Sequence, residues 1–454
     1  YDASDTENDN IAIGYNAMTT NTAGGTENTA VGNYSLDALT SGDGNTAVGM
    51  SALSANSTGG YNTAVGRGAL IANTTAQNNT AVGNYSLGAN TTGANNVAMG
   101  HAALDANTTA DGNVGIGVGA MGANTEGHSN TAVGTEAADA NTTGDHLTAV
   151  GMNALGANTT ANDNTAVGYN SMLINTEGYS NTAIGIYSLR QNTTGDSNVA
   201  VGQSALLNNT TADYNIAVGY NSAYNNTTGT RNISIGPFAY ENSDTENDNI
   251  AIGYEAMHTN TAGGNTNVAV GNYSMTALTS GDDNTAVGHL SMTALTEGLR
   301  NTGIGRMAMK SLTTGDDNTS IGNGSGEFLT TGNSNTLLAG GAALTTASNN
   351  VMVGRQAGNN TQEGHSNTLV GTGAGFNVTS GDNNLILGFE AGIAGSPGGA
   401  ISTANNIISL GDENIATCNI QVDWTVASDK RDKTDVEPVK MGLDFVNKLE
   451  PVTY

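Results

Sequence analysis

The pentapeptide Asn-Thr-Ala-Val-Gly, or a close variant of it, returns every 17 residues through most of this chain. Its first residue falls at Asn28, Asn45, Asn62, Asn79, Asn96, Asn113 and Asn130, is replaced once by Leu147, and continues in register from Asn164 to Asn249. After one 18-residue step it resumes at Asn267, Asn284, Asn301, Asn318 and Asn335. A unit this small cannot enclose a core of its own, so successive units must bury one another by stacking. The chain therefore reads as a solenoid rather than a globular enzyme.

Counted from that asparagine, position two is Thr, Val or Ile, position three Ala, position four Val or Ile and position five Gly. Positions six and seven vary, position eight is Ala or Ser, nine is Leu or Met, and twelve is Asn or Leu. Thr follows at thirteen, and a Gly or Ala at fifteen precedes two polar residues. In Asn267 to Gly271 the branched Val268 and Val270 alternate with Ala269, which predicts one strand per unit with a narrow and a bulkier face. The second apolar piece, as in Ala52-Leu53 or Ser274-Met275, fits either a second strand or a bent corner. Gly49 and the pair Thr58-Gly59 mark where the chain turns back.

Seventeen residues with two turns predict one coil of an all-β, parallel β-roll or β-helix solenoid, because helical repeats need about 33 residues or more. About two dozen coils at roughly 4.8 Å each make a rod on the order of 110 Å long. Identical residues recur directly above one another, so the first-position asparagines are expected to form an amide ladder. Position twelve, Asn at 56, 73 and 90 but Leu at 39, 278, 295 and 312, is expected to be partly buried. Ala at position three suits close approach, either inside a narrow roll or at a threefold axis.

A longer duplication overlies the short one. Ser4 to Tyr15 reads SDTENDNIAIGY and recurs from Ser243. The offset of 239 residues is fourteen periods of 17 and one residue more. Both copies carry the 18-residue step, so the rod was lengthened by copying a block of coils.

Only 11% of residues are charged and the net charge is -28, which speaks against nucleic acid and anionic membranes as partners, since those surfaces recruit Lys and Arg. No stretch approaches 18 apolar residues, so no membrane-inserted helix is expected. A start at Tyr1, with neither initiator Met nor secretory apolar region, reads as a fragment or a processed chain. The single Cys418 excludes an intrachain disulfide framework.

The organisation predicted is a repeat shaft over 1–411, a connector over 412–427 and a different module over 428–454. Five of the twelve basic residues (Lys430, Arg431, Lys433, Lys440, Lys448) fall near this end, close to the only Trp, Trp424. Val439, Leu443, Val446 and Leu449 have helical spacing, with Asp435 and Pro438 as start signals and Pro451 as a stop, which predicts a short C-terminal helix.

Within that module Ser428-Asp429, Arg431, Lys433, Pro438, Gly442-Leu443-Asp444-Phe445, Leu449 and Pro451-Val452-Tyr454 fall in an ordered pattern. Residues 428–454 thereby resemble the opening of the endosialidase-type intramolecular chaperone at the C-terminus of phage tail spikes and tail fibres. The resemblance implies a homotrimer whose chaperone removes itself by a single self-cleavage beside Ser428-Asp429. Ser428 would supply the hydroxyl, Asp429 would flank the scissile bond, and Lys433 would be the base, a role that requires burial to lower its pKa. Without the resemblance, Ser428-Asp429 reads as a turn or helix cap and Lys433 as a solvated charge. The family's domain is longer than 27 residues, so this chain reads as uncut or truncated. The repeats in turn resemble the NSVAIG-type units of trimeric adhesin heads, parallel β-rolls assembled as threefold rods.

Among remaining candidates, Asp43, Asp145, Asp196, Asp282, Asp316 and Asp382 recur at position sixteen. Calcium would suit stacked carboxylates, but many intervening units lack the Asp, and a solvated turn is the expectation. The six His (His101, His128, His146, His258, His289, His365) lack metal-ligand spacing and read as surface substitutions, so neither metal nor cofactor is expected. Thr-rich turns raise an ice-binding face only remotely, since adjacent Thr residues point to opposite sides of a strand. Tyr34, Tyr85 and Tyr273 share one repeat position, and Tyr15, Tyr169, Tyr220 and Tyr254 share the preceding one. They read as packing or rim residues.

The functional expectation is a structural phage tail-fibre shaft in an extracellular virion, trimerised with a self-cleaving chaperone, with a host surface glycan or protein as receptor. A bacterial trimeric surface adhesin is the structural alternative. A polysaccharide-degrading tail spike is the enzymatic one, and it would need an acidic pair in a groove that no repeat singles out.

Overall fold

The computed structural model describes residues 9–417 and 419, apart from 22, 23 and 342. The chain divides into two units, Tyr1–Glu413 and Asn414–Tyr454. In the first, 24 strands of three residues each run from β1 (Ile11–Ile13) to β24 (Ile408–Leu410), every one parallel to the next in sequence. The register is strict: Ala30 pairs with Ala47, and Ala47 with Ala64. The predicted all-β parallel solenoid of 17-residue coils is therefore what the chain forms. Steps of 18 residues separate Ile11 from Thr29 and Ile250 from Val268, a 15-residue step separates Thr336 from Val351, and a 23-residue step separates Leu385 from Ile408. The repeat thus continues past Gly388, through one enlarged coil, to a last strand. Cys418, Trp424 and the expected C-terminal helix lie outside the described residues.

Each strand turns its middle residue, most often alanine, inward and the residues on either side outward. Ala47 is fully buried between Thr46 and Val48, and Val48 is 36% exposed. The reason is the narrowness of the core, filled mainly by one large side chain per coil at position nine: Leu36, Leu53, Leu70. A Cβ added at Gly115, a strand position three, would lie 3.0 Å from Leu104 Cγ. So position three serves the inside of a narrow roll.

The second apolar piece is a bent corner. Leu53 at position nine has φ +52° and Ser51 at position seven φ +59°, a left-handed conformation that costs a non-glycine residue about 1–2 kcal/mol. Alternation of hand points successive N–H groups toward opposite neighbours: Ser51 donates back to Asn33 O (2.9 Å), whereas Leu53 donates forward to Ala69 O (3.0 Å). Bonding between coils thus continues around the corner without an extended strand, and the backbone stays satisfied. Position five is glycine in every coil but one, where Ala339 stands with φ +58°; Gly134 has φ +141°, and a Cβ there would lie 2.5 Å from Gly151 O.

Two buried asparagine columns staple the stack. Asn45 Oδ1 accepts the backbone N–H of Asn62 (3.0 Å), and Asn62 Nδ2 donates to Ala76 O (2.8 Å), closing its own coil. At position twelve an amide ladder runs from Asn56 to Asn226, with Asn73 Nδ2 donating to Asn56 Oδ1 at 2.8 Å and each later member repeating the bond. That column is fully buried rather than partly so. The ladder ends where Ser243 replaces Asn, and Asn226 Oδ1 is left without a donor. Beside the break, Glu246 is buried; its Oε2 accepts from Ser243 Oγ (2.9 Å) and from the N–H groups of Asp244 and Thr245 (2.9 and 3.0 Å).

In the last coils the core exchanges sides. Position nine becomes Gly326, Gly358, Gly375 and Gly392, all with positive φ, while position three becomes Leu337, Met352, Leu369 and Ile386, all buried. The strand now supplies the volume, and glycine occupies the left-handed corner.

Candidate binding surface

Position sixteen has a structural task in every coil named for it above. Asp43, Asp145, Asp196, Asp282, Asp316 and Asp382 each accept, through Oδ1, the backbone N–H of the equivalent residue one coil earlier, at 2.6–2.9 Å. Where Asp is missing, Asn162, Asn247 and Asn333 do the same. These turns face solvent, and the side chain in addition bridges two coils, a role that Asp and Asn fill alike. Among the described residues no group of three or more His, Cys, Asp or Glu is placed to hold a metal ion.

The histidines are also more than surface substitutions. Nδ1 of His128 and of His365 accepts the N–H of Asp111 (2.9 Å) and of Ser348 (3.0 Å), the same bond that aspartate makes. His146 lies 3.2 Å from Asp163, and His258 Nε2 lies 2.9 Å from Glu241 Oε2. Their scatter over positions hid these partners, because each partner is one coil away.

On a surface where every column repeats, local departures stand out, and one run of polar ones lies between Gln203 and His289. Position eleven is alanine at 38, 55, 72, 89, 106, 123, 140 and 157, and again at 277 and 294; in between it is Ile174, Gln191, then the unbroken run Asn208, Asn225, Asn242 and Thr259. These amides chain together: Asn208 Nδ2 donates to Asn225 Oδ1 (3.0 Å) and Asn225 Nδ2 to Asn242 Oδ1 (3.2 Å). With Asp244, Thr227 and Thr279 they line an open groove of about 700 Å³. Asn242 Nδ2 then reaches His258 Nδ1 at 3.4 Å. Glu241, which holds His258, also accepts from Asn221 Nδ2 (3.0 Å).

The aromatic columns meet on the adjoining corner. Because a residue at position six lies beside the residue at position seven of the next coil, the two sets of tyrosines interleave. Tyr220, Phe238, Tyr254 and Tyr273 form successive edge-to-face contacts with centroids 5.2, 5.8 and 5.3 Å apart, and His289 follows at 6.0 Å. Tyr15 with Tyr34, and Tyr169 with Tyr187, make isolated pairs of the same kind. Edge-to-face packing satisfies the ring quadrupoles, and Tyr220 remains 45% and Tyr273 36% exposed. The carboxylate of Glu255 and, more weakly, that of Glu241 help push the Tyr254 hydroxyl above its ordinary pKa. The zipper is the grouping that column-by-column reading misses; its signal was the adjacency of the two aromatic columns.

Ser428, Asp429 and Lys433, the residues tied to self-cleavage, lie outside the described residues. Among the described residues no helix is long and apolar enough to cross a membrane. Neither a protein-family model nor a curated protein matches this chain.

Proposed function

We propose that this chain is the shaft of a homotrimeric phage tail fibre, carrying a receptor-binding surface at a distance from the particle. The observation that carries the reading is the outer face of the sheet. The last residue of each of the 24 strands is Val, Ile, Leu or Met, although it points away from the core; Val65, Ile184 and Ile321 are 37–41% exposed. A continuous aliphatic strip of this kind favours association, since each Å² withdrawn from water contributes roughly 25 cal/mol. Two further copies would cover it in a threefold rod. The resemblance of residues 428–454 to a trimerising, self-removing chaperone supports the same assembly.

Sedimentation of the folded chain tests this. A trimeric species is expected, and Val150→Lys with Val167→Lys is expected to dissociate it; a stable monomer at micromolar concentration sinks the reading. In a gene encoding a longer chaperone, Ser428→Ala is expected to abolish processing, and unaltered processing would remove Ser428 from the reaction.

A further inference from the structure

We infer that the surface formed by the Asn208–Asn225–Asn242 groove and the Tyr220–Tyr273 aromatic zipper binds an extended, uncharged oligosaccharide. The inference deepens the fibre reading, on which it rests only for its biological setting.

Three observations converge. First, the amide run at position eleven is contiguous. A hydrogen-bonded path leads from it, Asn242 to His258 to Glu241 to Asn221, and ends at the chain neighbour of the zipper residue Tyr220. In coils 28 to 123 position eleven is a plain alanine, and the fold is equally regular there, so the amides are not needed to make a coil. Second, the chemistry matches a sugar. Half-exposed tyrosine rings offer apolar surface to the C–H faces of a pyranose, while amides and the Thr227 and Thr279 hydroxyls both donate and accept, as vicinal diols require. Third, the spacing is periodic. Coils recur at roughly 4.8 Å, close to the length of one hexopyranose unit, so consecutive sugars of an extended chain would meet consecutive coils.

Charge narrows the class. Glu241, Asp244 and Glu255 stand in or beside the site, and the chain carries -28 overall. Of the nearby basic groups, His258 is already engaged by Glu241 (2.9 Å) and Arg231 by Asp248 (2.6 Å). A polyanionic glycan would meet repulsion with little compensation, so neutral hexose or N-acetylhexosamine chains are the ligands of choice.

The test uses substitutions that install residues the same columns already carry elsewhere, so that folding is preserved. Tyr254→Asn copies Asn33, Tyr273→Ser copies Ser51, and Asn225→Ala copies Ala38. Calorimetric titration of the full chain with hexasaccharides of glucose, of mannose and of N-acetylglucosamine, and with a sialic acid hexamer, is expected to give saturable binding for at least one neutral chain and none for the acidic one. Tyr254→Asn with Tyr273→Ser, and separately Asn208→Ala with Asn225→Ala, should each weaken that binding at least tenfold, whereas Tyr34→Ser leaves it unchanged. Absence of binding by all three neutral chains, binding indifferent to both double substitutions, or preference for the acidic hexamer overturns the proposal. Sedimentation of the same samples separates this outcome from failure of the trimeric fibre.

Discussion

Met352 fills the space that Gly358 leaves: a Cβ on Gly358 would lie 2.5 Å from the Met352 sulfur. An earlier coil solves the same problem in reverse: Gly303 lies on the strand, and Met292 at the corner of the preceding coil fills its space, with Cγ 3.1 Å from where a Cβ would lie. Since a packed interior tolerates neither surplus nor missing volume, the two positions should be coupled. Met352→Ala alone is expected to cost about 2–5 kcal/mol, and Gly358→Leu alone about 1–3 kcal/mol through overpacking. Met352→Ala with Gly358→Leu should recover part of both, read as a coupling energy in a denaturation cycle. Simple additivity would contradict the exchange.

Asn124 lies mid-ladder, donating to Asn107 Oδ1 (3.0 Å) and accepting from Asn141 Nδ2 (2.8 Å). Leucine fits this column, as Leu295 shows, so Asn124→Leu changes bonding more than volume. It strips a buried Asn107 of its donor and should cost about 1–3 kcal/mol, with faster amide exchange confined to coils near 107–141. Loss of protection along the whole stack would mean that the coils are more cooperative than a nearest-neighbour array.

Tyr240 is buried at a position that most coils fill with Leu or Met, and burial pushes its phenol well above the ordinary value of 10.0. A raised folded-state pKa means that the unfolded chain releases its proton first. The stabilisation is complete below pH 10 and declines as pH rises beyond it. Spectrophotometric titration should show a phenol that ionises late, together with alkaline destabilisation. Tyr240→Leu should remove both, and unchanged alkaline behaviour in that variant would contradict the assignment.

Asp248 and Asp317 behave oppositely, since bidentate pairing with Arg231 and Arg300 holds both carboxylates below their usual range. Their contribution is present above the ordinary carboxylate pKa and is lost as pH falls through the lowered values. Both pairs are exposed, so the effect should be small and should fade with salt. Carboxyl chemical shifts in Arg231→Ala should move the Asp248 midpoint upward; an unmoved midpoint would show that the pair does not form in solution.

The solenoid was legible because its two strongest signals, period and alternation, are properties of a single column. Asn28 and Ala30 announce their burial simply by recurring. What escaped depends on relations between columns in successive coils. Asp145 looks like a solvated turn until His128, one coil earlier, is seen to donate to it, and Tyr254 and Tyr273 occupy different columns yet touch. Leu53 in a left-handed corner also defied its type, since no residue preference marks that conformation for leucine. The self-cleavage residues lie outside the described residues and stand on resemblance alone.

The Ile407 N–H donates to Asn384 Oδ1 (2.9 Å), and Ile407, lacking a side-chain amide, offers no acceptor in turn. Each first-position asparagine before it accepts, through Oδ1, the N–H of the coil that follows, so the column has a direction. Leu147 breaks the same relay in mid-stack: its N–H donates to Asn130 Oδ1 (2.7 Å), it carries no side-chain acceptor for the next coil, and the strands on either side stay paired. One missing carboxamide is therefore tolerated, because strand pairing carries the stack across the gap.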